Sequence, residues 1–254
     1  MLEFRILGPL EVLAAGETVP IGAGREQRIL ATLVVSANRT VSFDALVDAL
    51  WPECPPETAR NQVRNCTAGV RRALVAAGLP PAGLERCLVG YRLRAEPRQF
   101  DHWRFEDLVG QGHHRLRSGE REAAVERWRA ADDLWRGPAL AGLDQGRLQA
   151  EALRLEEMRL QAVEARVSAE LALGRHHRLL PELFALAHEH TGRDRLQAAL
   201  IGALHRCGRT GEALTAFEHL RRRTRDEFGC EPGAPVRRLR EEIMAETALV
   251  DSRR

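Results

Sequence analysis

Residues 58–74 read TARNQVRNCTAGVRRAL, a run with four arginines and no acid. Stepped at about 100° per residue, the run is amphipathic. Val63, Cys66, Thr67, Val70 and Leu74 fall on one face, which is expected to pack on a core, while Asn61, Arg64, Asn65, Ala68 and Arg72 fall opposite, flanked by Arg60 and Arg71. A charged helix face is usually no more than solvated, but such faces mix acids among their bases, as REEIMAE (240–246) and RLEEMRLQAVEAR (154–166) do. A face of arginine and asparagine without acids suits nucleic acid instead. The paired donors and acceptors of these side chains match guanine and adenine edges in the major groove.

The flanking sequence supplies a frame for that helix. Upstream, LEFRILG (2–8), EVLA (11–14) and TVPIG (18–22) alternate or run apolar between glycines, as short strands do. Arg25 to Ala37 has helical spacing, and SFDALVDALW (42–51) predicts a second helix with Ser42 at its N-cap. Pro52, Pro55 and Pro56 then break the chain before the arginine helix begins. After Pro80 and Pro81, ERCLV (85–89) and YRLRA (91–95) are two β-like runs expected to turn at Gly90. In YRLR, Tyr91 and Leu93 point one way and Arg92 and Arg94 the other, so two arginines share a face of a β-wing, placed for a DNA backbone or minor groove.

Charge is concentrated in the same place. Residues 1–95 carry 11 arginines and 9 acids, and residues 96–254 carry 27 of each. Within 58–94, however, seven arginines face one acid, Glu85, a local net of +6. That local excess is the footprint expected where a protein neutralises phosphates.

From about residue 96 the chain reads as almost wholly helical. The spacing predicts helices at 100–118, 120–136, 147–173, 175–190, 194–207, 210–228 and 235–247, punctuated by Gly119, Gly174, Gly192, Gly208 and Gly229. LGRHHRLLPELFAL (173–186) aligns with CGRTGEALTAFEHL (207–220), pairing Gly174 with Gly208, Leu180 with Leu214, Leu183 with Phe217 and Leu186 with Leu220. Every offset is 34, the tetratricopeptide period. Leu180, Leu183, Leu214 and Phe217 are therefore expected in a core.

Composition excludes several other classes. All 38 basic residues are arginine, and five cysteines without a CxxC pattern indicate neither a disulfide framework nor a zinc knuckle. No signal-peptide pattern and no apolar run of about 18 residues is present, which predicts a cytoplasmic protein without membrane contact. GAGREQ (22–27) begins like a dinucleotide fingerprint, but Gln27 stands where the third glycine belongs and no βαβ unit surrounds it. The pairs His113/His114, His176/His177 and His188/His190 are spaced so that their rings diverge. No metal, cofactor or catalytic residue is expected, and no enzyme.

The run from Arg25 to Leu74 followed by GYRLR (90–94) resembles the OmpR-type winged helix-turn-helix of the Streptomyces antibiotic regulatory protein family. FDHWRFEDL (100–108), AADDLWRGPALAGL (130–143), HRCGRTGEAL (205–214) and EFGCEPGAPVRRLREEI (227–243) resemble the bacterial transcriptional activator domain that follows it there. The chain departs from the family's pattern at Ala68 and Gly69, where a Ser-Arg pair is expected, and at Leu88 and Val89, where a Pro-Pro turn usually precedes Gly-Tyr. The expected fold is mainly α with a small β part: a winged helix-turn-helix domain over 1–95 and an all-α, tetratricopeptide-like domain over 96–254. Asn61, Arg64, Asn65 and Arg72 are the expected base readers, with Arg60 and Arg71 on phosphates and Arg92 and Arg94 in the wing. The resemblance implies a transcriptional activator of a secondary-metabolite cluster. It would bind tandem direct repeats of double-stranded DNA near a promoter as a head-to-tail homodimer and recruit RNA polymerase through its sigma subunit. The alternative is a helical-repeat scaffold or ligand-binding module without specific DNA binding.

Overall fold

The computed structural model describes residues 2–143 and 145–251. Its elements group into two compact units. One holds the residues up to His113 together with Arg127–Gln161, and the other holds His114–Glu126 and the chain from Ala162 onward. The sequence divide near residue 96 and the division into compact units therefore do not coincide, for a reason visible in the first unit.

That unit opens with a meander, β1 (Leu2–Arg5), β2 (Glu11–Ala14) and β3 (Glu17–Thr18), in which Leu2 lies opposite Ala14 and Leu13 opposite Thr18. Alternation buries Leu2 and Phe4, as the period of a strand requires. Three helices follow: α1 (Arg25–Val35), α2 (Phe43–Leu50) and α3 (Ala59–Ala76). They pack on one another and bury Ile29, Leu30, Leu33, Leu46, Val63, Val70 and Leu74. Ser42 caps α2 as its position predicts, its hydroxyl accepting the Ala45 N–H at 3.1 Å.

The wing differs from expectation in one respect. Its strands are β5 (Leu84–Arg86) and β6 (Gly90–Leu93), so the turn lies at 87–89 and Gly90 is a strand residue. A third strand, β4 (Val41–Ser42), completes a sheet of order β4-β6-β5 and places Ser42 opposite Gly90. A Cβ on residue 90 would lie 1.8 Å from the Val41 carbonyl oxygen, so glycine is there to admit a neighbouring strand and not to make a turn.

Helices α4 (Asp101–Arg117), α5 (Arg121–Asp132) and α6 (Gly146–Ala172) come next, and both units draw on them. In the first unit, Phe100 is fully buried and stacks on Phe4 with ring centroids 5.3 Å apart. Asp101, 2% exposed, accepts the Ile6 N–H with both oxygens at 2.9 Å and the Leu7 N–H at 3.0 Å. The carbonyls of Ile6 and Leu7 in turn accept the N–H groups of Leu140 and Arg136. The chain just beyond β1 thus finds its hydrogen-bond partners in residues 101–140, and this carries the first unit past residue 96.

The second unit stacks α7 (His176–Glu189), α8 (Asp194–Arg206), α9 (Thr210–Phe228) and α10 (Ala234–Asp251) as successive neighbours. The 34-residue register holds in the backbone. Gly174 and Gly208 take the same left-handed conformation, φ +76° and +77°, each two residues before its helix, α7 or α9. Leu180, Leu183 and Phe217 are buried in one core cluster, and Leu214 packs half-buried against it. One buried charge has no counterpart in the next repeat. Arg166, 3% exposed, lies in α6 between Glu170, 2.9 Å away, and Glu182 of α7, while the positions 34 residues on are Leu200, Leu204 and Ala216. Among the described residues no helix is long and apolar enough to cross a membrane.

Phe217→Ala removes a buried ring from the shared core of this unit and is expected to cost about 3–5 kcal/mol. Urea unfolding of the full chain, followed by helical circular dichroism, measures it. Leu214→Ala, at a half-buried site, should cost clearly less.

Candidate nucleic-acid interface

The arginine helix α3 is held by its inner face. Val63, Thr67, Val70 and Leu74 are wholly buried, and the Thr67 hydroxyl donates to the Val63 carbonyl at 2.7 Å. Cys66 is half-buried beside them; burial, and after it the charge of Glu26, pushes its thiol pKa up. The same carboxylate lies beside Gly69, where a Cβ would come 2.1 Å from an oxygen at the far end of the flexible Glu26 side chain. The position is half-buried and turned toward α1, and the glycine costs helix propensity there.

The outer face is where periodicity placed it. Asn61, Arg64, Asn65, Ala68 and Arg72 are all exposed. Arg64 lies 5.7 Å over the Phe43 ring, and its Nη1 donates to Asn61 Oδ1 at 3.3 Å, which orders two neighbouring polar groups toward solvent. Arg72 and Asn65 have no hydrogen bond or ion pair among the described residues. Arg60 pairs with Asp44 at 2.7 Å, with both partners well exposed. Such a surface pair is worth little and opens readily.

Two of the expected contact residues turn inward. The Nε of Arg71 donates to the Leu84 carbonyl at 2.9 Å, and its guanidinium lies 5.9 Å over the Tyr91 ring, bracing α3 against the wing. Arg92 donates to the Thr40 hydroxyl at 3.1 and 3.2 Å and lies 3.2 Å from Glu85. Arg94 is exposed, with Glu85 at 3.0 Å. The hydrogen bond from Arg94 holds the Glu85 carboxyl below the ordinary carboxylate range, so the one acid of this region stays charged and partly offsets the wing. Alternation in YRLR separates arginines from core residues correctly, since Tyr91 and Leu93 are buried. It carries no information on which arginine is engaged within the protein.

Other residues of this surface escape sequence reasoning. Arg86 is exposed at the end of β5, where the short strand gives no period to read. Arg25 stacks 5.0 Å from Trp51 and donates to Gln62 Oε1 at 2.6 Å, adding a guanidinium beside the start of α3. The surface as a whole offers donor-rich planar groups on a rigid helix with a positive wing beside it. It suits a duplex with an accessible major groove.

Residues 100–244 match the family model described as bacterial transcriptional activator domain. The chain is 38% identical to the regulatory protein DnrI of Streptomyces peucetius, covering 98% of this chain and 94% of that protein. It is 36% identical to the transcriptional regulator RedD of Streptomyces coelicolor, covering 98% of this chain and 72% of the relative. The solved structure of Mycobacterium tuberculosis EmbR in complex with a low affinity phosphopeptide superposes with a TM-score of 0.92 at 36% identity. It covers 96% of this chain, which spans 65% of that one.

Two measurements on duplex DNA follow from the placement of the side chains. If Arg64 reads a guanine bidentately, Arg64→Ala should cost about 1–3 kcal/mol on the selected sequence, with the loss confined to one operator position. Unchanged affinity and preference in a folded variant would remove that role. In the wing, Arg94→Ala should flatten the slope of log affinity against log salt by about 0.9, on specific and random duplexes alike. Arg92→Ala should change the slope less and lower thermal stability more, because its donors are already used on Thr40 and Glu85.

Proposed function

The chain belongs to the Streptomyces antibiotic regulatory protein family of transcriptional regulators, and from that premise we propose that it is a sequence-specific DNA-binding activator of a secondary-metabolite gene cluster. The observation that carries this reading is the exposed, acid-free face of α3, with Asn61, Arg64, Asn65 and Arg72 set opposite a fully buried seam. In this reading those four side chains read base edges in the major groove, while Arg60 and Arg94 neutralise phosphates. Arg71 ties α3 to the wing and Arg92 fastens the wing to Thr40, and their outer N–H groups add to the positive field along the backbone. Residues 1–95 are the DNA-binding domain.

Residues 96–254 supply contact with the transcription machinery. With 27 arginines and 27 acids they have no net charge to hold DNA. Their repeat-built second unit has two adjoining depressions of about 480 and 750 Å3, which share Leu171, Ala198, Ala199 and Pro235. Stacked helix pairs make such grooves because each pair can bury its apolar face only against its neighbours. We assign this half to RNA polymerase, through the sigma subunit. Two copies would sit head to tail on direct repeats beside a promoter, in the cytoplasm at the nucleoid. No catalytic or cofactor chemistry is needed for this activity.

The test is to sequence the genomic fragments that the purified chain retains, and then to run transcription from them with polymerase holoenzyme. Arg64→Ala with Arg72→Ala should lose both retention and activation. Arg206→Glu with Arg238→Glu, which reverses exposed charge on the groove, should keep DNA binding and lose activation. A groove variant that activates like the parent would refute the division of labour, and a parent chain that retains no specific fragment would refute the function itself.

A further inference from the structure

The wing ends in two apolar side chains that nothing in the domain covers. Leu88 is 97% exposed and Val89 58% exposed, in the turn between β5 and β6. Single surface hydrophobics are common and require no explanation. This pair is different because the chain presents it so firmly. The Cys87 N–H donates to the Gly90 carbonyl at 2.8 Å across the turn, and the Val89 carbonyl accepts the Phe43 N–H, also at 2.8 Å. Gly90 lies directly against the Val41 carbonyl, so the tip is pinned from beneath. A turn held this way loses little backbone freedom on binding.

The tip is also tied to the outer face of α3. Phe43, which holds Val89, lies edge-on to Tyr91 at 5.4 Å and beneath the Arg64 guanidinium at 5.7 Å. One aromatic ring thus links the proposed base reader to the wing tip. Arg86 stands beside the tip, and Arg92 and Arg94 follow along β6 and its end, against the single acid Glu85 of this hairpin. An apolar point set among arginines matches a duplex, where cations meet phosphates and hydrocarbon meets sugar and base faces. Minor-groove proteins use leucine in this way, as a wedge that partly unstacks one base step and kinks the helix.

We propose that Leu88, backed by Val89, is an apolar wedge that the wing drives into the minor groove, so that binding kinks the duplex at the step it enters. The proposal rests on the DNA-binding reading above and deepens it. The wedge adds sequence preference without hydrogen bonds, because pyrimidine–purine steps unstack more easily than A-tracts. It acts at a position separate from the bases that α3 reads.

The test uses the full chain and a duplex of about 40 base pairs carrying one half-site that this protein selects from random sequence, with a fluorescent donor and acceptor at its ends. A kink of the size such wedges produce, at least about 20°, brings the ends measurably closer. Leu88→Ser should lower affinity roughly tenfold, as loss of one buried leucine implies, and should abolish most of the end-to-end shortening. Leu88→Met should restore both, and neither variant should alter the salt slope, because no phosphate contact is removed. Replacing the flexible step beneath the wing by an A-tract should weaken the parent chain but not Leu88→Ser. If Leu88→Ser binds and bends the half-site like the parent, the wedge is wrong while the DNA-binding reading stands. A loss seen only on tandem sites would also overturn it, since the tip would then touch a neighbouring protein copy. A parent chain that binds no duplex overturns both readings together.

Discussion

The buried carboxylate of Asp101 and the two N–H groups it accepts depend on each other. Ile6 and Leu7 follow β1 into the interior of the first unit, where backbone donors have no water to turn to and must find acceptors. A charge without partners in the same place would be costlier still. Setting the one against the other satisfies both, with Arg136 adding a guanidinium 3.5 Å from the carboxylate. Removing the acid would leave two buried donors, at about 1–3 kcal/mol each. Phe100 stacking on Phe4 fixes the same junction from the apolar side. The sheet that begins the chain is therefore completed by residues that sequence similarity assigns to the activator domain, and a chain cut at residue 96 would lose both supports at once.

Given that junction, the surface of the winged half separates arginines by what their N–H groups already do. Arg71 and Arg92 have internal acceptors, Arg60 has an exposed and weakly held one, and Arg72 has none among the described residues. A guanidinium carries five donors in a plane, so it can fasten one edge to the protein and still contribute charge outward. This is how a region with a local net of +6 stays folded on its own internal contacts. Its self-contacts lie within the wing, between Arg71 and the wing, and at the start of α3, and leave the centre of the outer face of α3 open.

Much of this was legible in the sequence because helices announce themselves by period. The faces of α3, the cap at Ser42 and the 34-residue repeat all follow from spacing alone, and each observed helix lies within a few residues of its expected bounds. What spacing could not show are contacts made by single residues across long separations. Asp101 looks like an ordinary first-turn acid until Ile6 and Leu7 are seen beside it. Gly90 looks like a turn residue because β4, only two residues long, leaves no periodic trace. Gly69 breaks the propensity of α3, and only the fold shows the Glu26 side chain lying beside it. Arg92 and Arg94 are equivalent by alternation and become different only through Thr40 and Glu85.

The buried Arg166 with its two glutamates bears on how the helical array assembles. Repeats of one length and one apolar pattern are interchangeable in principle, so α7 could dock where α9 belongs, in the same chain or a neighbouring one. Arg166 forbids the exchange. If α9 took the place of α7, Ala216 would meet the guanidinium where Glu182 should be, leaving a buried charge short of a partner at several kcal/mol. In the reverse error, Glu182 would be pressed against Leu200 and Leu204. The triad therefore works as an address label, giving one helix pair an identity its neighbours lack and allowing a nearly repetitive sequence only one order of stacking.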